Sequence, residues 1–528
     1  MNPTLQNPIL PGFNPDPSLI AVGNDFYIAT STFEWFPGVQ IHHSTDLANW
    51  QLVSRPLERT SQLDMTGNPD SGGVWAPCLS HCDDTFFLVF TDVKEMRSSY
   101  KASRSYLVTS KRIDGDWSDP IHLPVSGFDQ SLFHAPDGRK FLTWLVWDDR
   151  PGVDPFGGIM LQEYDHPNNR LLGKPRKIFS GTEIGRTEGP HLYWKDGYYY
   201  LMTAEGGTGW EHAVSLARSR DLYGPYETCP HNPILTSHRK HEATLKRAGH
   251  GSIAQAPNGR WYLAHLCSRP IPHRGCSTMG RETALQEVEW TADGWLQLTS
   301  ENNAPASTVA LPQPATQTRN RSQLYSFDTP ALPSDFQTLR LPLDEKRLSL
   351  TERPGFLRLR GELPFCTRGP QSLVARRQQA ARYTATTCVD FSPSSFQERA
   401  GLVCYYSSEN YYYAAISQDE ALGRVLLILS AHNSLTYQFA CDPVPIPTAG
   451  SVYLRAEVDY EHLDFSYSLD GENWTAFGPT LDYSILSDES AGAHENFTGS
   501  FVGLCCQDLT GNFAAADFPF LDYQEHHA

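Results

Sequence analysis

Asp16, Asp129, Glu188 and His250 each open a segment of one repeated pattern. The segments read DPSLIAVGNDFYIAT from Asp16, DQSLFHAPDGRKFLT from Asp129, EGPHLYWKDGYYYLM from Glu188 and HGSIAQAPNGRWYLA from His250, and a fifth, APCLSHCDDTFFLVF, starts at Ala76. A lone Asp or Glu at a strand start ordinarily serves a turn. Three at one register of a repeat call for another account, because like charges brought together raise one another's pKa. Cleavage of a glycosidic bond supplies it. One carboxylic acid protonates the departing oxygen, an ionised carboxylate activates water or attacks the sugar, and a third can orient the acid and keep its pKa high. His250 is open between a core histidine, a substrate contact and a ligand for an axial metal ion.

Aromatic and basic residues fall close to these starts. Phe33 follows the second strand of the first repeat, Trp75 directly precedes Ala76, Trp147 ends the second strand of the third repeat, and Arg281 follows the fifth hairpin in Gly280-Arg281-Glu282-Thr283. Each ring suits either core packing or the apolar face of a sugar. A buried Arg would partly neutralise a carboxylate cluster and could bind sugar hydroxyls.

The elements that must position these groups are strands. Each repeat runs to a turn signal eight positions after its start: Asn24-Asp25, Asp84-Thr85, Asp137-Gly138, Asp196-Gly197 and Asn258-Gly259. An aromatic-rich strand follows, the pattern of a tight hairpin. The starts are 60, 53, 59 and 62 residues apart, room for four strands per unit. The spacing predicts a five-bladed β-propeller over residues 1–300, whose equivalent positions converge on a common axis. Residues 301–322, rich in Asn, Ala, Pro, Thr and Gln, read as a linker. Alternating runs then resume at Phe356–Arg360, Leu402–Ile416, Val425–Ile428, Val452–Val458, Leu463–Ser468 and Phe501–Cys506. They predict a β-sandwich of jelly-roll or lectin-like type over 323–528. The chain is thus expected to be all-β.

The formal net charge of −18 disfavours nucleic acid and anionic membranes as partners. No apolar run approaches the roughly 20 residues of a membrane span, and Met1 to Leu10 has no secretory pattern. The 11 cysteines show no CxxC pair or zinc spacing. Free thiols in a reducing cytoplasm are expected. There is no phosphate-cradling glycine loop, HExxH or GxSxG; Glu205-Gly206-Gly207-Thr208-Gly209 is glycine-rich but lacks the lysine.

Phe13-Asn14-Pro15-Asp16-Pro17-Ser18, Trp75-Ala76-Pro77, Gly127-Phe128-Asp129-Gln130-Ser131, Thr187-Glu188-Gly189-Pro190 and Gly280-Arg281-Glu282-Thr283-Ala284 together resemble glycoside hydrolase family 43, in particular its two-domain β-xylosidases. The likeness extends to Phe501–Asp508. It implies an inverting exo-enzyme that releases terminal β-1,4-linked D-xylose from xylo-oligosaccharides, with α-L-arabinofuranosidase side activity. By the resemblance Asp16 matches the general base, Glu188 the general acid and Asp129 the residue that tunes the acid. Phe33, Trp75, His250 and Arg281 match sugar-pocket positions, Trp147 is a further candidate, and Phe501, which follows a turn into a strand and is open between a residue at the domain edge and sandwich core, matches a Phe that the second domain brings to close the pocket. The resemblance implies no obligatory cofactor, a calcium ion or a water on the axis near His250, and a homo-oligomer. An α-L-arabinofuranosidase or arabinan-degrading enzyme, a retaining fructan-active propeller and a non-catalytic carbohydrate-binding propeller are the competing readings. Three costly acids around one axis argue against the last.

Overall fold

Each of the five repeat segments starts one antiparallel sheet. The computed structural model describes residues 4–300, 302–311, 316–318, 320–492 and 496–526. The described residues are strands and loops, with two short 3-10 turns at His166–Asn168 and Tyr483–Ile485. None forms a helix long and apolar enough to cross a membrane. The chain divides into two compact units, one of Met1–Phe33, Gly38–Arg269 and Arg281–Thr318, the other of Glu34–Pro37, Pro270–Gly280 and Arg319–Ala528.

The first sheet of the first unit runs Ser18–Val22, Asp25–Thr30, Gln40–Ser44, Gln51–Ser54, and the second Gly73–Cys82, Thr85–Glu95, Ala102–Ser110, Ile121–Leu123. The third runs Phe128–His134, Lys140–Trp147, Phe156–Asp165, Arg170–Phe179. The fourth runs Glu188–Lys195, Tyr198–Glu205, Ala213–Ser219, Glu227–Thr228, with Leu235–Thr236 also on its third strand. The fifth runs Lys246–Gln255, Trp261–Ser268, Glu282–Trp290, Leu296–Leu298. The leading strand of each sheet lies beside the leading strand of the next, and the fifth lies beside the first. The five leading strands therefore neighbour one another in a closed cycle.

Two hairpin turns differ from the expectation. Val22 pairs with Asp25 and Cys82 with Thr85, so the two-residue loops are Gly23-Asn24 and Asp83-Asp84, one residue earlier than predicted. Positive φ decides it: Gly23, Asp83 and Asp84 adopt 62°, 49° and 53°. Asp196-Gly197 forms the expected tight turn, between Lys195 and Tyr198. Asp137-Gly138 and Asn258-Gly259 sit inside wider loops, closed by the amides of Ala135 and Ala256 donating to the carbonyls of Arg139 and Arg260.

The segment read as a linker is partly structural. Thr308–Ala310 pairs with Thr4–Gln6, and Val309 and Leu311 enter an apolar core with Leu5, Leu19 and Ile28. Residues 301, 312–315 and 319 of that segment lie outside the described residues.

In the second unit one seven-stranded sheet contains Ser372–Arg377, Phe501–Asp508, Glu398–Ser407, Asn410–Asp419 and Gly423–Ala431, and the other contains Phe520–Glu525, Arg382–Val389, Val452–Asp459 and His462–Ser468. Strand alternation separates their faces. Val502, Leu504 and Cys506 join Leu402, Leu454 and Phe465 in one core. The alternating run Leu402–Ile416 is a hairpin that turns between Ser407 and Asn410, where no glycine marks it.

Candidate active site

The leading strands share a local irregularity at the positions that carry chemistry. The pairing register slips between Trp75 and Cys78, Phe128 and Ser131, Glu188 and His191, and Gly249 and Gly251. A β-bulge leaves a residue out of the ladder and re-aims its side chain. Asp16 lies just ahead of its strand, which begins at Ser18. Asp16, Asp129 and His250 have φ of 55°, 57° and 45°. Asp and His are among the few side chains that enter this left-handed region readily. Glu188 does not enter it; Gly189 takes φ 57° instead. A Cβ on Gly189 would stand 2.9 Å from His250 Nε2, so the glycine serves both the backbone and the close approach.

The buried carboxylates have opposite surroundings. Asp16 accepts from Arg281 Nη1 at 3.0 Å and from the Ser31 hydroxyl at 2.7 Å, and His250 Nδ1 lies 3.4 Å away. Burial alone would raise its pKa, but Arg281, His250 and Ser31 outweigh burial and hold the carboxyl well below the usual range. Asp129 accepts from the Gly189 amide at 3.0 Å. Burial, with repulsion from Asp16, pushes it up to about 6, against the pull of His250. Burial, then repulsion from Asp129 and Asp16, pushes Glu188 up to about 8, with His250 and Lys101 opposing. His250 is raised despite burial by its contact with Asp16 and by the charges of Asp129 and Glu188. The surroundings therefore favour the ionised form of Asp16, the protonated form of His250, and a proton on Glu188 in preference to Asp129.

Two predictions follow from these surroundings. Asp129→Asn removes one repelling charge, so the Glu188 pKa falls and the alkaline limb of the pH–rate profile moves to lower pH. An unmoved limb in a folded, active variant would remove Asp129 from the tuning role. The second concerns stability. Because the folded pKa of Glu188 is raised, its contribution is fully present below its ordinary value of 4.5 and is lost as pH rises through about 8. Glu188→Gln does not titrate, so its melting temperature relative to the parent should climb across that window. A constant difference from pH 4.5 to 8 would contradict this account.

An arc of aromatic rings extends from the Asp16 side. Arg281 stands 5.2 Å over the Phe33 ring. Phe33 lies 6.0 Å from Trp75, Trp75 5.3 Å from Phe128, and Phe128 6.0 Å from Trp147, between ring centres. Lys101 Nζ lies 5.3 Å from the centre of Trp75 and 4.7 Å from that of Trp147. Phe33, Trp75, Trp147, Arg281 and His250, all singled out in the sequence, are thus linked through neighbouring side chains to the carboxylates. Ser31, Lys101 and the Gly189 amide were not singled out. Lys101 carries no signal, since it sits in a loop outside the repeat.

Phe501 differs from the expected edge aromatic. It is fully buried within the second unit, on the strand face opposite the core of Val502 and Leu504. It stacks on Trp35 with ring centres 3.7 Å apart, and Arg377 lies 5.4 Å from its ring. Its tight packing explains the change: Trp35, also fully buried, makes an edge contact with Tyr405 on the same sheet.

The surroundings of His250 do not fit an all-protein calcium cage. Calcium takes six to eight oxygen ligands, whereas Asp16 is already engaged by Arg281, Ser31 and His250. Among the described residues no three His, Cys, Asp or Glu side chains converge as a metal shell.

Comparison with known proteins bears on this arrangement. The family described as glycosyl hydrolases family 43 matches residues 5–296, and the beta xylosidase C-terminal concanavalin A-like domain matches residues 325–524. A Humicola insolens protein named xylosidase/arabinosidase 43B is 48% identical over 531 residues, covering 99% of this chain and 98% of its own. A beta-xylosidase of Bacillus subtilis (strain 168) is 46% identical over 532 residues, covering 99% of each. The crystal structure of xylan beta-1,4-xylosidase from Bacillus halodurans C-125 superposes with a TM-score of 0.96 at 50% identity, over 99% of this chain and 100% of that one.

Proposed function

Because the chain belongs to glycosyl hydrolase family 43, we propose that it is an exo-acting, inverting β-xylosidase that releases terminal β-1,4-linked D-xylose from xylo-oligosaccharides. In this reading the ring of five sheets is a five-bladed β-propeller, and the site lies where its leading strands meet. The observation that carries the proposal is the asymmetry of the buried carboxylates: Asp16 is paired with Arg281, Ser31 and His250, which favours its charge, whereas Glu188 is buried and repelled by Asp129, which favours its proton.

Asp16 is the general base. Its charge, fixed by Arg281 and His250, accepts a proton from water as that water attacks the anomeric carbon. Glu188 is the general acid and gives its proton to the departing glycosidic oxygen. Asp129 never transfers a proton; its charge keeps that of Glu188 in place near neutral pH. Phe33, Trp75 and Trp147 offer rings to the apolar faces of the sugar. This chemistry requires no cofactor. The 11 free thiols fit a reducing compartment, and we extend the reading to a cytosolic enzyme.

Release of xylose from xylobiose tests the activity, and proton NMR of the first-formed product tests the route. Inversion needs room for water, with carboxyl groups roughly 6.5–9.5 Å apart against about 5–5.5 Å for retention. A β-xyloside should give α-xylose first. Initial β-xylose would overturn the inverting mechanism, and no xylose at all would overturn the substrate. A second activity on α-L-arabinofuranosides is favoured by the name of the Humicola insolens relative. The same assay with an aryl arabinofuranoside measures it.

A further inference from the structure

Outside the reacting groups lies a buried carboxylate that the mechanism above does not use. Glu205 is fully buried at the end of the strand Tyr198–Glu205. It directly follows Ala204, the residue paired with Glu188 across the hairpin. Four donors converge on it, two per oxygen. Oε1 accepts from the Thr182 amide at 2.8 Å and from the Thr187 hydroxyl at 2.8 Å. Oε2 accepts from the Thr182 hydroxyl at 2.5 Å and from the Ser215 hydroxyl at 2.7 Å. A carboxylate is the side chain suited to four donors, since it accepts through both oxygens and donates through neither. Burying it would be costly without them.

Thr187 is the residue before Glu188. Through it and Thr182, Glu205 holds both ends of the loop that leads into Glu188. The packing leaves that loop no slack: a Cβ on Gly181 would stand 2.0 Å from the Thr187 hydroxyl, and the Gly206 amide donates to the Gly185 carbonyl at 2.9 Å. The backbone of Glu205 reaches the other side of the site. Its carbonyl accepts from His212 Nδ1 at 3.2 Å. The fully buried His212 ring fills the space beside Gly249, where a Cβ would lie 2.0 Å from the ring. Gly249 directly precedes His250.

We propose that Glu205 is a positioning residue, which fixes Glu188 through Thr187 and braces the strand of His250 through His212. It touches no substrate. Its action is to hold the acid in line with the departing oxygen, and misplacement of such a group is costly because proton transfer demands hydrogen-bond geometry.

The inference rests on Glu188 being the general acid, so the experiment includes Glu188→Gln as a reference. Thr187→Val deletes only the hydroxyl that links Glu205 to the acid, and Thr187→Ser restores it. Each variant is assayed in the full-length protein on xylobiose and on an aryl xyloside with a good leaving group. Only the former needs full protonation. Thr187→Val should lose about tenfold in kcat on xylobiose and less than about twofold on the aryl substrate. Its alkaline limb should also move to lower pH, as a loosened Glu188 meets more water. Thr187→Ser should restore both, and Glu205→Gln should show the same selective loss in milder or equal form. Equal losses of Thr187→Val on both substrates, no loss, or no rescue by Ser would overturn the inference while the acid assignment stands. If Glu188→Gln itself failed to discriminate the substrates, both would fall.

Discussion

Asp16→Asn should yield a folded protein whose kcat on xylobiose is lower by about 10²–10⁴-fold, the usual worth of a general base. Asn keeps the shape of Asp and also tolerates the left-handed backbone at this position, where φ is 55°. Its side-chain oxygen can still accept from Arg281 or Ser31. The charge is what disappears, and with it the ability to take a proton from water. KM should change little, because the aromatic arc and Arg281 remain. A further effect separates this from simple damage. His250 holds its proton chiefly through Asp16, so its pKa should fall in the variant, and an NMR titration of the imidazole would report it. An Asp16→Asn enzyme within tenfold of the parent on xylobiose would exclude Asp16 as the base.

Ending the chain at residue 318 should abolish activity and leave an aggregating fragment. The second unit is built from three stretches of chain, and two of them, Glu34–Pro37 and Pro270–Gly280, interrupt the first. Trp35 is fully buried against Phe501 and Tyr405. The amide of Ser500 donates to the carbonyl of Thr278 at 2.7 Å, and that of Ser277 to the Glu489 carboxylate at 3.0 Å. Truncation removes every one of these partners and leaves both stretches behind. Loss of packing around one buried Trp costs about 3–5 kcal/mol, against a total stability of roughly 5–15 kcal/mol for a domain. Exposed Trp35 and Phe36 would add an apolar surface prone to association. A monodisperse fragment of residues 1–318 with the parent's rate on xylobiose would refute this.

Much of the first unit was legible because a repeat writes the same instruction five times. One carboxylate at a strand start says little; Asp16, Asp129 and Glu188 at one register say that they meet. The turn positions were less legible, since Gly23-Asn24 overlaps Asn24-Asp25 and Asp83-Asp84 overlaps Asp84-Thr85, and only the positive φ of Gly23, Asp83 and Asp84 decides between them. Ser31 and Lys101 were invisible because they lie outside the repeated register, the one bonded to Asp16 and the other set over Trp75 and Trp147. Glu205 gives no signal in its glycine-rich stretch, because a buried acid looks like a surface one until its donors are in place. Phe501 was read as an edge residue from the turn before it. The ring that covers it, Trp35, lies more than four hundred positions earlier, beyond any local pattern.

That separation governs the order in which the protein can be completed during synthesis. Trp35 leaves the ribosome early and finds its stacking partner only when Phe501 follows. Asp16 likewise waits for Arg281 before its charge is balanced, and Thr4–Gln6 waits for Thr308–Ala310 before it can pair. Contacts this distant in sequence are slow to form and leave partly built chains open to misassociation. Yield in a host should therefore depend on elongation rate and chaperone supply more than on the stability of the finished protein. The nascent chain should stay inactive until Phe501 has followed and covered Trp35.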